Sequence, residues 1–280
     1  MGMRMKKNVE NVENVARSYL FVPGDRPERF AKACAAGAHA VIIDLEDAVP
    51  PAGKQAARAA VADWVSPDHP VFVRINGAGS TWFADDLVLC GLPGVAGIVL
   101  PKAEHPADVA RIQAAGAALV LPLIETAQGV WNAHALATAP GVQRLMFGSI
   151  DFQLDAGIDG DVDELLYVRS QLVLVSRVAG IQSPVDGVTT AIDDPEQLRA
   201  DTQRARRLGF GGKLCIHPKQ VEPVNRHFMP NEDDIAWARR VLQAAEAAQG
   251  AAVALDGKMV DLPVIRKAEE IVSEAERAVH

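Results

Sequence analysis

Residues 119–125 read Leu119-Val120-Leu121-Pro122-Leu123-Ile124-Glu125, six apolar residues and then one carboxylate. An apolar run without polar relief fits a strand covered on both faces, as strands of parallel sheets are. A carboxylate at its last position is not packing material. The arrangement recurs along the chain. Val71–Val73 runs into Arg74, Gly97–Leu100 into Pro101 and Lys102, and Leu145–Ile150 into Asp151. Val41–Ile43 runs into Asp44, Glu46 and Asp47. In a barrel of parallel strands such ends open onto one mouth, where that fold does its chemistry.

Working outward, strand patterns fall at 18–23, 39–45, 70–75, 96–100, 117–124, 143–148, 181–185 and 212–216. Helical periodicity separates them at 27–36, 52–64, 80–90, 105–115, 128–138, 163–179 and 195–208. Pro27 and Asp194-Pro195 read as helix starts. Gly37, Gly116, Gly180 and Gly209 stand where helices should stop. Alternation of this kind implies parallel pairing with right-handed crossovers. Eight strands predict an α/β fold, a (β/α)8 TIM barrel with a C-terminal helical extension. A doubly wound open sheet is the alternative. Its nucleotide signatures are absent: the first turn, Val22-Pro23-Gly24-Asp25-Arg26-Pro27, is not G-x-G-x-x-G, and there is no Walker loop.

The expected organisation is an N-terminal tail over 1–16, the barrel over 17–230 and the extension over 231–280. The extension holds an Ala-rich helix at 232–249, a hairpin signal at Asp256-Gly257 and a helix at 262–277. A barrel closes without such a tail. The extension is therefore expected to pack on a neighbouring subunit of a homo-oligomer, a trimer or hexamer.

At 280 residues the chain can bury one full core, and 49% hydrophobic with 23% charged residues fits a globular protein in water. A net charge of −8 supplies no basic field, so nucleic acid is not expected as a partner. Cys34, Cys90 and Cys215 are scattered and form no C-x-x-C pair, which fits a reducing cytoplasm. The first sixteen residues lack a signal peptide's apolar segment. No apolar run approaches the roughly eighteen residues of a membrane span, so no membrane association is expected.

Glu125 and Asp151 end consecutive predicted strands, whose ends lie about 5 Å apart. Two carboxylates that close repel unless a cation sits between them. Hard oxygen donors without Cys or His suit Mg²⁺, with Mn²⁺ as a substitute. Each carboxylate could instead cap the helix that follows, although Thr126 is a better cap than Glu125. Arg74 is suited to fixing a carboxylate or an oxyanion, or to a buried pair with Asp44, Glu46 or Asp47. Glu46 and Asp47 could orient Arg74 or the metal's waters from behind. Lys102 raises a Schiff-base aldolase as a rival, but Glu104 and Glu125 would hold its amine protonated. His217 ends strand eight and reads as a ligand contact more than a base. Arg17, Arg26, Arg29 and Lys32 could meet a phosphate-bearing ligand or form a charged helix face. Asp261 reads as a helix cap.

Taken in order, several motifs resemble the citrate lyase β-subunit-like family within the HpcH/HpaI aldolases, from about Arg17 to about residue 272. They include Arg17-Ser18-Tyr19-Leu20-Phe21-Val22-Pro23-Gly24, Asp44-Leu45-Glu46-Asp47, Leu100-Pro101-Lys102-Ala103-Glu104, Ile124-Glu125-Thr126-Ala127, Gly148-Ser149-Ile150-Asp151, Ile216-His217-Pro218-Lys219 and Asp256-Gly257-Lys258-Met259-Val260-Asp261. The resemblance implies a Mg²⁺-dependent carbon–carbon lyase acting on a 3-hydroxyacyl thioester of citramalyl or malyl type. It makes Glu125 and Asp151 the metal ligands, with Glu125 also touching substrate, and Arg74 the substrate-binding arginine. It places Phe21, Arg26, Lys32, Ile216 and His217 around the thioester cofactor. Asp261 becomes a proton carrier that enters from a neighbouring subunit. The implied partners are an acyl-CoA or acyl-carrier thioester and a 2-keto acid. The carrier-protein-dependent subunit of a citrate lyase complex, a metal-dependent aldolase on free 2-keto acids and a non-catalytic ligand-binding barrel remain as alternatives.

Overall fold

The computed structural model describes residues 16–247 and 253–277. The expected tail lies outside that range apart from Ala16. Eight parallel strands close a barrel in chain order. They are β1 (Ser18–Pro23), β2 (Ala40–Asp44), β3 (Val71–Arg74), β4 (Val95–Leu100), β5 (Val120–Ile124), β6 (Met146–Phe147), β7 (Val185–Asp186) and β8 (Gly212–Cys215). β1 pairs with β2 on one side and β8 on the other. The fold is a (β/α)8 barrel.

Local chemistry places most helices where expected. The Asp194 carboxylate accepts from the Gln197 N–H at 2.9 Å and caps Pro195–Leu208. Gly180 and Gly209 end their helices with φ of 72° and 100°, a region that favours glycine. The helix expected over 128–138 is two pieces, Ala127–Trp131 and Ala133–Ala137. Between them the Asn132 amide donates to the Glu104 carbonyl at 2.8 Å.

The strand expected over 143–148 pairs only at Met146–Phe147. Arg144 precedes them. It is fully buried and donates from Nε to the Ser183 carbonyl at 2.9 Å and from Nη1 to the Ala16 carbonyl at 2.8 Å. It cross-links the start of β6 to the segments leading into β7 and β1. A helix not expected from sequence, Ser149–Ala156, follows directly.

Side chains alternate across a strand, so the phase of the interior residues fixes what the mouth receives. Tyr19, Ile42, Leu121, Leu123, Met146 and Leu214 belong to the barrel's inner cluster, with Phe72 packed against it. The next residues in the same phase are Phe21, Asp44, Arg74, Glu125, Gly148 and Ile216.

By packing, the chain divides into two compact units, one ending at Asn225 and one beginning at Arg226. That division falls slightly before the boundary expected at residue 230. In the second unit, Glu232–Ala247 and Leu262–Arg277 pack around Ala238, Val241, Val260 and Ala268. Between these helices β9 (Val253–Leu255) and β10 (Lys258–Val260) form an antiparallel hairpin. Its turn has positive φ at Asp256 (51°) and Gly257 (72°), the pattern a tight two-residue hairpin needs. Among the described residues no helix is long and apolar enough to cross a membrane.

Candidate active site

A cavity of about 500 Å³ opens at the C-terminal ends of the strands, and all six in-phase residues line it, with Asp151 beside them. Arg74 is the most constrained. Its Nε donates to Asp44 Oδ1 at 2.7 Å and its Nη2 to Asp44 Oδ2 at 2.6 Å. Nη1 lies 3.0 Å from Glu46 Oε2, a pair whose alignment falls short of a hydrogen bond. The Phe21 ring stacks on the guanidinium, 4.8 Å from its centroid. Burial opposes the charge on Arg74, but Asp44, Glu46 and Glu125 outweigh it and raise its pKa. The buried pair expected of Arg74 is present, and the side chain also lines the cavity. Two carboxylates aim a guanidinium that still lines the cavity.

Glu46 is buried, and its pKa is raised first by burial and lowered in part by Arg74. It also accepts from Lys102 Nζ at 2.5 Å. Burial opposes the charge of Lys102, but the bond to Glu46 and the charges of Glu46, Glu125 and Asp47 together outweigh it and the pKa is raised, the opposite of what a Schiff-base nucleophile needs.

Glu125 is 1% exposed. Thr126, whose Oγ1 accepts from the Gly129 N–H at 3.0 Å, caps the following helix, so Glu125 is not used as a cap. Its Oε1 accepts the Lys102 N–H at 2.7 Å. That bond needs Lys102 in the left-handed region, φ 47°, an uncommon place for a residue with a side chain. Gly148 makes room on the other side, since a Cβ there would meet Glu125 Oε2 at 2.4 Å. Burial, then the charge of Glu46, push the Glu125 pKa up to about 8, with a further push from Asp151 and relief from Arg74. A buried carboxylate in that state is matched by an added cation.

Two expectations about position need correction. Asp151 does not end β6; it lies in the first turn of the helix Ser149–Ala156, four residues beyond Phe147, where the helix dipole favours a carboxylate. Lys102 likewise lies past the end of β4, in the turn that serves Glu125. Among the described residues no three His, Cys, Asp or Glu side chains gather as a metal cage. The candidate donors are therefore the carboxylates of Glu125 and Asp151. That set fits Mg²⁺, which takes one or two carboxylates and leaves other positions to water and substrate.

Other expected site residues are more scattered. Phe21, Asp47 and Ile216 line the cavity. Arg26 and Lys32 are exposed and are not among its lining residues, and Arg26 lies 3.8 Å from Asp25. His217 is partly buried, and its Nδ1 accepts from the Lys219 N–H at 3.1 Å, capping the short turn at 218–220. Asp261 belongs to the second unit and heads the helix Leu262–Arg277, its carbonyl accepting from the Ile265 N–H at 3.0 Å. Sequence reasoning missed the space-making Gly148, the backbone of Lys102 and a buried lysine, Lys54. Gly148 had a signal, because it opens the motif that contains Asp151.

Comparison with known proteins gives consistent relatives. The sequence profile of the HpcH/HpaI aldolase/citrate lyase family matches residues 17–218. A citrate lyase subunit beta-like protein of Deinococcus radiodurans is 40% identical, the alignment covering 92% of this chain and 96% of the relative. An L-malyl-CoA/beta-methylmalyl-CoA lyase of Cereibacter sphaeroides is 33% identical, with 93% and 94% covered. The crystal structure of CitE from Mycobacterium tuberculosis in complex with magnesium, acetoacetate and coenzyme A superposes with a TM-score of 0.85 at 37% identity, covering 93% of this chain and 98% of that one.

Proposed function

The chain belongs to the HpcH/HpaI aldolase/citrate lyase family, and we propose that it is a magnesium-dependent carbon–carbon lyase. Its substrate is a 3-hydroxyacyl thioester of the citramalyl or malyl type, carried on coenzyme A. Its products are acetyl-CoA and a 2-keto acid. The observation behind this reading is Glu125 beside Arg74 in one mouth: a buried carboxylate that needs a cation, next to a guanidinium held ready for an anion. The joint presence of magnesium, acetoacetate and coenzyme A in the mycobacterial structure supports the choice of ligands.

Glu125 and Asp151 hold Mg²⁺, which when bound acidifies the substrate hydroxyl and steadies the forming keto acid. The hydroxyl gives its proton to solvent water as the carbonyl forms. The carbon–carbon bond breaks with its electron pair moving to the thioester side, leaving an enolate. Arg74 neutralises the developing oxyanion through the N–H groups that Asp44 and Glu46 leave over. Because both partners are fixed before substrate arrives, that charge meets little reorganisation. Asp261 of a neighbouring copy returns one proton to the enolate carbon. Phe21 and Ile216 supply apolar wall, and Arg26, Lys32 and His217 are assigned to the rim that meets the cofactor. A homo-oligomer in a reducing cytoplasm is the setting we assign.

The experiment is a panel of malyl-, citramalyl- and citryl-CoA with Mg²⁺, followed by release of keto acid. One of the first two should yield keto acid and acetyl-CoA in equal amounts. Free coenzyme A and an intact hydroxy acid would replace the reading with thioester hydrolysis. Turnover only after a carrier protein is added would replace it with the complex subunit.

A further inference from the structure

We propose that Lys54 is a positioning residue for Arg74, acting through the acidic turn that follows β2. This inference deepens the lyase reading above and rests on it. Lys54 opens the helix Lys54–Trp64 and is 5% exposed, although lysines are rarely buried. Its ammonium donates to two consecutive carbonyls of the turn, Leu45 and Glu46, each at 2.7 Å. The ring of Trp82 lies 5.1 Å away, and neither Lys54 nor Trp82 is among the residues lining the cavity.

The backbone groups of Leu45 and Glu46 can be followed one by one. The Leu45 N–H donates to the Arg74 carbonyl at 2.8 Å. The Glu46 N–H donates to Asp44 Oδ1 at 2.9 Å. The Glu46 carbonyl accepts from the Val49 N–H at 3.0 Å as well as from Lys54. The bond from Lys54 is the one shown to the Leu45 carbonyl. Removing the ammonium leaves that carbonyl unsatisfied inside the protein and frees the peptide that joins Asp44 to Glu46. Those two residues hold three nitrogens of Arg74. Lys54 thus lies two steps from the cavity: it holds the turn, and the turn carries Glu46 and abuts Asp44 at the end of β2, the two carboxylates that hold the guanidinium. Glu125 directly follows β5 and Asp151 stands in the helix after β6, so neither takes its backbone from this turn.

The test compares the full-length protein with Lys54→Met, which keeps the stem and loses the donors, and Lys54→Arg, which keeps donors and charge. Solvent exchange of the Arg74 Nε–H, read by NMR, reports the guanidinium's hold without reference to activity. In Lys54→Met that exchange should quicken by about tenfold or more, and kcat should fall by about tenfold or more while KM for the thioester changes less than about threefold. Lys54→Arg should recover a good part of both. Binding of Mn²⁺ should stay within about threefold in each. A folded Lys54→Met with unchanged exchange overturns the proposal, whatever its turnover. So does a loss of Mn²⁺ binding equal to the loss of kcat. If Lys54→Met does not fold, Lys54→Gln, with a single donating group, takes its place on the same criteria. If the parent protein cleaves no thioester, the lyase reading fails, and the Nε–H exchange still decides the role of Lys54.

Discussion

Asp44 and Arg74 form a two-point pair, with Oδ1 2.7 Å from Nε and Oδ2 2.6 Å from Nη2. Planar geometry of this kind belongs to arginine; a lysine would offer one point of charge in its place. Arg74→Lys should therefore fold and yet lose about two orders of magnitude in turnover, measured as keto acid release. Arg74→Ala is a poorer probe. It strands buried Asp44 without its counter-charge, leaves Glu46 with Lys102 alone, and should cost about 3–5 kcal/mol of stability. Near-normal turnover in Arg74→Lys would show that the guanidinium's shape is not used.

Gly148 has φ −93°, which any residue can adopt, so its value lies in space and not in backbone freedom. A Cβ would fall 2.4 Å from Glu125 Oε2 and 2.6 Å from Glu125 Cβ. Gly148→Ala should therefore displace the carboxylate, weakening Mn²⁺ binding by about tenfold or more in a titration followed by electron paramagnetic resonance. Unaltered affinity would remove Glu125 from the list of ligands.

The metal-free protein should lose stability as pH rises through the titration of Glu125. Burial and Glu46 raise its pKa from 4.5 to about 8, so the folded chain holds that proton more tightly than the unfolded chain does. The resulting stabilisation is complete below about pH 4.5 and lost as pH passes about 8. A bound divalent ion must displace the same proton, so Mg²⁺ affinity should climb by up to about tenfold per pH unit until about pH 8 and then level off. Thermal unfolding in EDTA and in excess Mg²⁺, from pH 5 to 9, checks both. A Mg²⁺-induced gain in Tm that does not vary with pH would contradict them.

Thiol chemistry gives an independent check on the fold. Cys90 and Cys215 are buried, and burial pushes their pKa values up to about 11 and about 12. Cys34 is less buried, with its pKa also raised by burial. A disulfide reagent at pH 8 should reach Cys34 first, and the other two only on denaturation. Prompt labelling of three thiols in the native protein would contradict the barrel's packing.

The strand-end charges made the barrel and the core of its site readable in sequence. The period-two phase that carries Leu121 and Leu123 inward also delivers Glu125 to the mouth, and Arg74 follows Phe72 in the same way. What stayed hidden depends on contacts far apart in the chain. The start of β6 looks like strand, yet Arg144 turns its hydrogen bonds to Ala16 and Ser183. Asp151 sits in a helix that apolar periodicity did not reveal. Lys54 looks like any lysine at a helix start. Its partners are backbone carbonyls nine and eight residues back, which no residue-type pattern marks.

Crystals soaked with Mg²⁺ and pyruvate would be the most direct trial of the proposed chemistry. One cation should be bound by both Glu125 and Asp151, with the keto acid between it and Arg74. Carboxylates turned away from each other with no ion between them, or pyruvate seated far from Arg74, would contradict the proposed lyase.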